Sequence, residues 1–360
     1  MTEHPSSTPP DLRWDFGTAY DLFISLKILH DPGSVGLRPS WAAGVRSRLP
    51  QAERKFLEEI YSFFWMPLHW VYSLPQPKDA ATAIFTLRQL PPSERLAAFS
   101  FSADVPPELQ ARLREVQARR TYTEADVEAV RAIDKAKGHT PSPGQVKSLL
   151  NWWTRAEEFG ERYLAALQAY HQVFFAEEER RIEAPLRLAL QKAQKLAEKL
   201  PLEQLIVELS QGVEFERSFF KPHLILAPVY WSSPLLLYLK VDEQTLMILF
   251  GGRPPGDSLI PGEAVPEGLM RALKALSDPT RLRILRYLEE EPHTPSQLAR
   301  KLRLRAPTVT HHLAELRLAG LVQISIKGET RLYAPRKGYL EQLFQAFEQF
   351  LRAEHPSEGE

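Results

Sequence analysis

RAPTVTHHLAELRLAGLV (305–322) carries two different faces in one short run. Val309, Leu313 and Leu316 recur at helical spacing, so one side is built for burial, while Thr308, Thr310, His311 and Ala314 fall on the other. Pro307 suits the first turn of a helix and Gly320 its end. The segment therefore reads as one short helix whose outer face is small, polar and nearly uncharged.

The flanking sequence gives that helix its context. Leu269, Leu273 and Leu276 share one side of a short helix, and SDPTRLRILRYL (277–288) starts another. There Ser277 or Asp278 can cap, Pro279 takes the first turn, and Leu282, Ile284, Leu285 and Leu288 supply the apolar side. Thr294 and Pro295 repeat the start signal for TPSQLARKL, and LRLRA (302–306) makes a tight connection into the next helix. Helices this short and this closely punctuated form a helix-turn-helix inside a trihelical core. Beyond Gly320, LVQISIKGETRLYAP (321–335) alternates: Val322, Ile324 and Ile326 share a face, Leu332 points back from the return strand, and Lys327 with Gly328 sits at the turn. A hairpin directly after a helix-turn-helix is a winged helix.

The outer face of 305–322 then acquires a purpose. A helix entering the major groove of DNA needs side chains short enough for close approach, with hydrogen-bonding tips. Thr308, Thr310 and His311 supply the tips, and Ala306 and Ala314 keep the surface close. Arg303 and Arg305, just before the helix, are placed for phosphates or a guanine, and Lys327 and Arg331 on the wing for flanking backbone or minor groove. His312 lies beside Val309 and Leu316 and reads as a packed histidine. Residues 296–337 hold nine Lys or Arg against two acids, in a chain whose formal net charge is zero. One concentrated basic module in a neutral protein meets a polyanion there.

Composition bounds the rest. The chain has 360 residues, enough for two or three domains, and its 44% hydrophobic and 25% charged content is that of a globular protein. With no cysteine, disulfides, thiolate nucleophiles and sulfur-ligated metals are excluded. MTEHPSSTPPDLRWDF (1–16) lacks the basic and apolar regions of a signal peptide, which predicts a cytoplasmic protein. FFWMPLHWVYSL (63–74) is too short to span a membrane, and LILAPVYWSSPLLLYLKV (224–241) is broken by Pro228 and Pro234, so no membrane partner is expected.

The fold class expected is mainly α: a helical N-terminal domain (1–252) with a small antiparallel β-meander, followed by a C-terminal winged helix-turn-helix domain of α+β type (266–352). A disordered start of about ten residues, a Pro- and Gly-rich linker (253–265) and a disordered tail (353–360) complete the layout. Within the N-terminal domain, a long helical pattern runs from about 145 to 200, with Pro185 expected to kink or divide it. HLILAPV, LLLYLKV and TLMILFG, within about 213–251, read as the meander. Trp65, Trp70, Trp152, Trp153 and Trp231 have core packing as their default role. No phosphate loop, dinucleotide fingerprint or supportable catalytic triad is present, so an enzyme is not expected.

LKALSDPTRLRILRYL (273–288), TVTHHLAELRLAGLV (308–322) and the wing ending in RLYAP (331–335) together resemble the ArsR/SmtB-type family of bacterial winged-helix repressors over about 266–352. That resemblance implies a homodimeric repressor on a pseudo-palindromic operator, with the first and last helices forming the subunit contact. The last helix, GYLEQLFQAFEQFL (338–351), carries Leu340, Leu343, Phe344, Phe347 and Leu351 as a broad apolar stripe. Founding members sense metals through thiolates in the first helix of the helix-turn-helix, or through acidic and histidine ligands on the last helix. Here PSQLARK (295–301) has no cysteine, and the last helix has no histidine before His355 in the tail. No metal site and no cofactor are expected. The N-terminal region is similar to the extra domain of larger members. It reads either as a sensor of a small apolar effector or as a scaffold in which the rod pairs across a dimer. The rival reading for the whole chain is a winged-helix protein-interaction scaffold without sequence-specific DNA binding.

Overall fold

The computed structural model describes residues 10–35, 37–61, 64, 66–136, 142–254, 257–260, 266–328 and 330–352. The first nine residues, the tail and parts of the 253–265 segment lie outside that set, and with them the two expected disordered ends. A strand that the sequence reading did not anticipate, β1 (Asp11–Trp14), comes first. A helical body follows: α1 (Ala19–His30), α2 (Pro39–Ser47), α3 (Gln51–Ile60), α4 (Leu68–Ser73), α5 (Ala80–Gln89), α6 (Pro92–Ser100), α7 (Pro107–Arg119), α8 (Glu124–Ala136), α9 (Pro143–Trp153), α10 (Ala156–Tyr170), α11 (Ala176–Ala197) and α12 (Leu202–Leu209). Local chemistry sets many of these starts. Pro39, Pro92, Pro107 and Pro143 occupy first turns, Asp79 accepts the Thr82 N–H, and Ser142 with Gln145 closes a reciprocal capping box.

The expected rod over 145–200 is interrupted, though not at Pro185. α9 stops at Trp153, and α10 passes through one π turn (His171–Phe175) into α11. α11 continues through Pro185 without a break. A proline there removes one ladder donor, and the burial of Ile182 and Leu186 on the neighbouring turns holds the helix in place. Nor is α10 a free rod: Phe159, Tyr163, Leu167 and Tyr170 are buried, and the helix packs on α3 and α6. Trp70, Trp152, Trp153 and Trp231 are buried in the same aromatic core, as their default reading had it; Trp65 lies outside the described residues.

The apolar runs between 213 and 251 do not form an antiparallel meander. β3 (His223–Val229), β4 (Leu237–Lys240) and β5 (Thr245–Gly251) join β1 in a sheet of order β1-β3-β5-β4, in which β1, β3 and β5 are parallel and only β4 is antiparallel. Burial explains the difference. Ile225, Ala227, Val229, Met247 and Leu249 face the helical core, while Leu224, Leu226, Leu246, Ile248 and Phe250 face Ala193, Leu205 and Ile206 of α11 and α12. Strands covered on both sides are continuous apolar runs and favour parallel pairing. β2 (Val213–Phe215), assigned to the meander by sequence, belongs to neither edge of this sheet. The class remains mainly helical, but the N-terminal part is an α/β body.

The C-terminal part has its own core. α13 (Glu267–Leu276), α14 (Pro279–Glu290), α15 (Pro295–Leu302), α16 (Ala306–Leu318), the hairpin β6 (Val322–Lys327) and β7 (Thr330–Pro335), and α17 (Tyr339–Arg352) surround Leu269, Ile284, Leu288, Leu298, Val309, Leu313, Leu316, Val322 and Leu343. This is a winged helix, and it is docked on the body. β2 pairs parallel with β6, making a sheet of order β2-β6-β7, and Arg271 of α13 donates to the Val35 carbonyl. The segment expected to be a linker is also packed where it is described: Arg253 donates to the Ser233 carbonyl and Leu259 is fully buried.

Candidate nucleic-acid interface

Two start signals and one reversal build the helix-turn-helix. Asp278 accepts the Arg281 N–H, a bond that holds its carboxyl below the usual range, and Pro279 follows in the first turn of α14. Thr294 and Gln297 close a capping box at α15. α15 ends on Arg303, whose φ of +58° puts a non-glycine residue in the left-handed region; the Leu304 N–H then bonds back to the Ala299 carbonyl. This is the tight reversal that swings the chain into α16.

α16 separates its faces as its periodicity requires. Val309, Leu313 and Leu316 are fully buried. Ala306, Thr308, Thr310, His311 and Ala314 are exposed, together with Arg303 and Arg305 at the turn. The Thr310 hydroxyl donates to the Ala306 carbonyl at 3.0 Å, leaving its oxygen lone pairs for an incoming donor. His312 is half-buried, and its Nδ1 is buried without a partner among the described residues. In the wing, Lys327 pairs in register with Thr330 across a two-residue connection, where Gly328 supplies the φ of +54° that such a turn needs. Lys327 and Arg331 are both exposed. All nine side chains selected from sequence thus lie on the solvent side of one winged helix.

Two residues play parts that sequence reasoning missed. His293 bridges to Tyr333 by paired backbone hydrogen bonds of 3.0 and 2.9 Å, adding a minimal strand to the free side of the wing. Arg317, counted with the basic patch, is turned inward and donates to the carbonyls of Ser210 and Gln211 in the body. Its position four after Leu313, on the buried side of α16, was the available signal. Leu340, Phe344 and Leu351 of α17 and Met270 of α13 stand exposed, while Leu343 points into the core. The apolar stripe therefore wraps the helix, with one side inside and one side open.

At the carboxyl end of β3, where an open parallel sheet often receives a ligand, the chain fills the position itself. The Asp21 carboxyl accepts the N–H groups of Tyr230 and Trp231 at 2.9 and 2.8 Å, and burial pushes its pKa up to about 7. Glu178 beside it accepts the indole N–H of Trp231 and the Arg181 guanidinium. One cavity of about 820 Å³ has a mixed wall that includes Ser93, Gln117, Ala118, Arg155, Ala156 and Glu158. Among the described residues no group of three or more metal-ligating side chains is assembled, and no helix is long and apolar enough to cross a membrane.

Comparison with known proteins converges on the same region. A helix-turn-helix domain family profile matches residues 276–324. The HTH-type transcriptional regulator KmtR of Mycobacterium tuberculosis (strain ATCC 25618 / H37Rv) is 31% identical over 91 residues, which is 25% of this chain and 68% of that protein. Among solved structures, the homodimeric winged helix-turn-helix DNA-binding domain of Mb0332 from Mycobacterium bovis, a possible ArsR-family regulator, is 26% identical; it covers 29% of this chain and 95% of its own, with a TM-score of 0.22. The cadmium metal-sensor CMTR of Mycobacterium tuberculosis is 34% identical over 25% of this chain and 94% of its own, with a TM-score of 0.19. NolR from Sinorhizobium fredii is 25% identical over 27% of this chain and 99% of its own, with a TM-score of 0.21. Through its C-terminal winged helix, the chain belongs to the ArsR-type helix-turn-helix transcriptional regulators.

Proposed function

We propose that this regulator is a cytoplasmic homodimeric repressor that binds a pseudo-palindromic operator in double-stranded DNA, with one α16 entering each of two successive major-groove segments. The observation that carries this reading is the joint exposure of the small polar face of α16 and the cationic wing on one unit with its own core. Thr308, Thr310 and His311 read base edges, with Ala306 and Ala314 allowing close approach; Arg303, Arg305, Lys327 and Arg331 hold phosphates. The open side of α17, with Met270 of α13, is the subunit contact, an arrangement that sets half-sites about one helical turn apart. The layout underlying this is an N-terminal domain over 1–252 and a winged helix over 266–352, with a small apolar molecule as the candidate effector of the former.

The test is fluorescence anisotropy of labelled duplexes titrated with the full chain across a salt series. The account expects binding that weakens steeply with salt and a tighter class of palindromic sequences. Binding that ignored both salt and sequence would remove it.

A further inference from the structure

The outer edge of the wing is covered by the chain's own body, through one short turn. α12 ends at Leu209, with Ser210 as its C-cap; Gln211 and Gly212 then take φ values of +54° and +98° and turn the chain directly into β2. β2 pairs with β6 in the register Val213↔Ile324, Glu214↔Ser325 and Phe215↔Ile326. The Ile324 N–H donates to the Gly212 carbonyl at 3.0 Å, and the Ser325 hydroxyl to Glu214 at 2.6 Å. Residue 212 has to be glycine on two counts: its φ is left-handed, and a Cβ would stand 2.9 Å from that of Gln323.

Arg317 reaches the same turn from the last turn of α16. It is 5% exposed, and its guanidinium forks onto the carbonyls of Ser210 at 2.6 Å and Gln211 at 3.1 Å. Among the described residues no carboxylate pairs with it. Burial, with Arg336 nearby, lowers its pKa to about 10, so it stays charged at neutral pH. The negative end of the α12 dipole and the two carbonyls are what hold this cation.

We propose that Arg317 is the positioning residue through which the N-terminal body fixes the angle of the recognition helix, with β2 as a built-in added strand of the wing. The proposal rests on the DNA-binding reading above and adds what sets its geometry. From Arg317 to Ala306 the helix rises about 16 Å at ~1.5 Å per residue. A swing of about 10° around Arg317 displaces the base-reading end by about 3 Å, a full hydrogen-bond length. The body therefore governs DNA affinity without touching DNA, and any change that moves the turn at Gln211 and Gly212 reaches the groove.

The experiment uses full-length wild type, Arg317→Ala, Arg317→Lys and the double variant Arg317→Ala/Gly212→Ala, with two readouts: anisotropy on a selected duplex across salt, and hydrogen exchange at Ile324. Arg317→Ala is expected to weaken binding by about tenfold or more with the salt slope unchanged, since no phosphate contact is lost, and to speed Ile324 exchange. Arg317→Lys recovers part of both. The double variant loses more of both, because the Cβ added at residue 212 also meets Gln323 and strains the turn. A salt slope reduced by ~1 would mean that Arg317 meets a phosphate and would overturn the proposal, as would faster Ile324 exchange with wild-type affinity. Unchanged exchange in Arg317→Ala, in a chain that binds duplex normally, would defeat this proposal alone; a wild type that bound no duplex would defeat the DNA-binding reading beneath it.

Discussion

Phe344→Glu tests the proposed subunit contact at its most exposed aromatic. Phe344 is 54% exposed on the open side of α17, next in sequence to Leu343, which is buried in the core. With roughly 200 Å² for an aromatic side chain, about 110 Å² stays wet at that exposure. Covering it is worth about 3 kcal/mol per copy at ~25 cal/mol/Å², and two-fold symmetry counts it twice. Area overstates affinity, because ordering and polar desolvation oppose it, so the expected weakening of the dimer is at least ~100-fold rather than the full ~10⁴-fold. Sedimentation equilibrium over a dilution series reads this directly, and circular dichroism should show the fold intact because Phe344 lies outside the core. Leu343→Glu is the contrast: it places a charge inside the winged helix and should unfold it. A Phe344→Glu chain that dimerised like wild type, or a wild type monomeric at every concentration, would refute this surface as the contact.

Replacing Lys327 or Arg331 by Ala should weaken binding to all duplexes and flatten the salt slope by ~1 per lost phosphate contact, whereas Thr308→Val or His311→Ala should change the preferred sequence at near-constant slope; a salt titration on matched and mismatched duplexes separates the two. Asp21 is buried with its pKa raised to about 7, so its protonated form favours the fold and the stability it contributes is lost as pH rises from about 4 through 7. Asp21→Asn should flatten that fall, by up to ~1.4 kcal/mol per pH unit, in denaturant melts run across the window. His30 is the opposite case: burial lowers its pKa to about 4, so its contribution is present above 6.5 and lost as pH falls toward 4, and His30→Gln should reduce acid sensitivity in the same melts.

What the sequence disclosed was local. The division of α16 into two faces depends only on the spacing of Val309, Leu313 and Leu316, and its neighbours announce themselves through Asp278, Pro279, Thr294 and Pro295 at their first turns. Gly328 announces the wing turn in the same way. Pairing across distance was not visible. β3 and β5 are each continuous apolar runs, and nothing within HLILAPV or TLMILFG says that they lie parallel, or that a four-residue strand two hundred residues upstream completes the sheet. Arg317 shows the limit most clearly: in sequence it is one of nine basic residues in a patch, while the carbonyls that hold it come from Ser210 and Gln211, more than a hundred positions away. Pro185 does not divide α11, because burial of Ile182 and Leu186 outweighs its cost to the helix.

The most direct test of the central claim is selection of bound fragments from random double-stranded DNA by the full-length protein. One enriched motif with two-fold symmetry is expected, its half-sites about one helical turn apart, lost when Thr308 and His311 are replaced together. Recovery of unenriched DNA from wild type at low salt, or an asymmetric motif that survives those replacements, would contradict it.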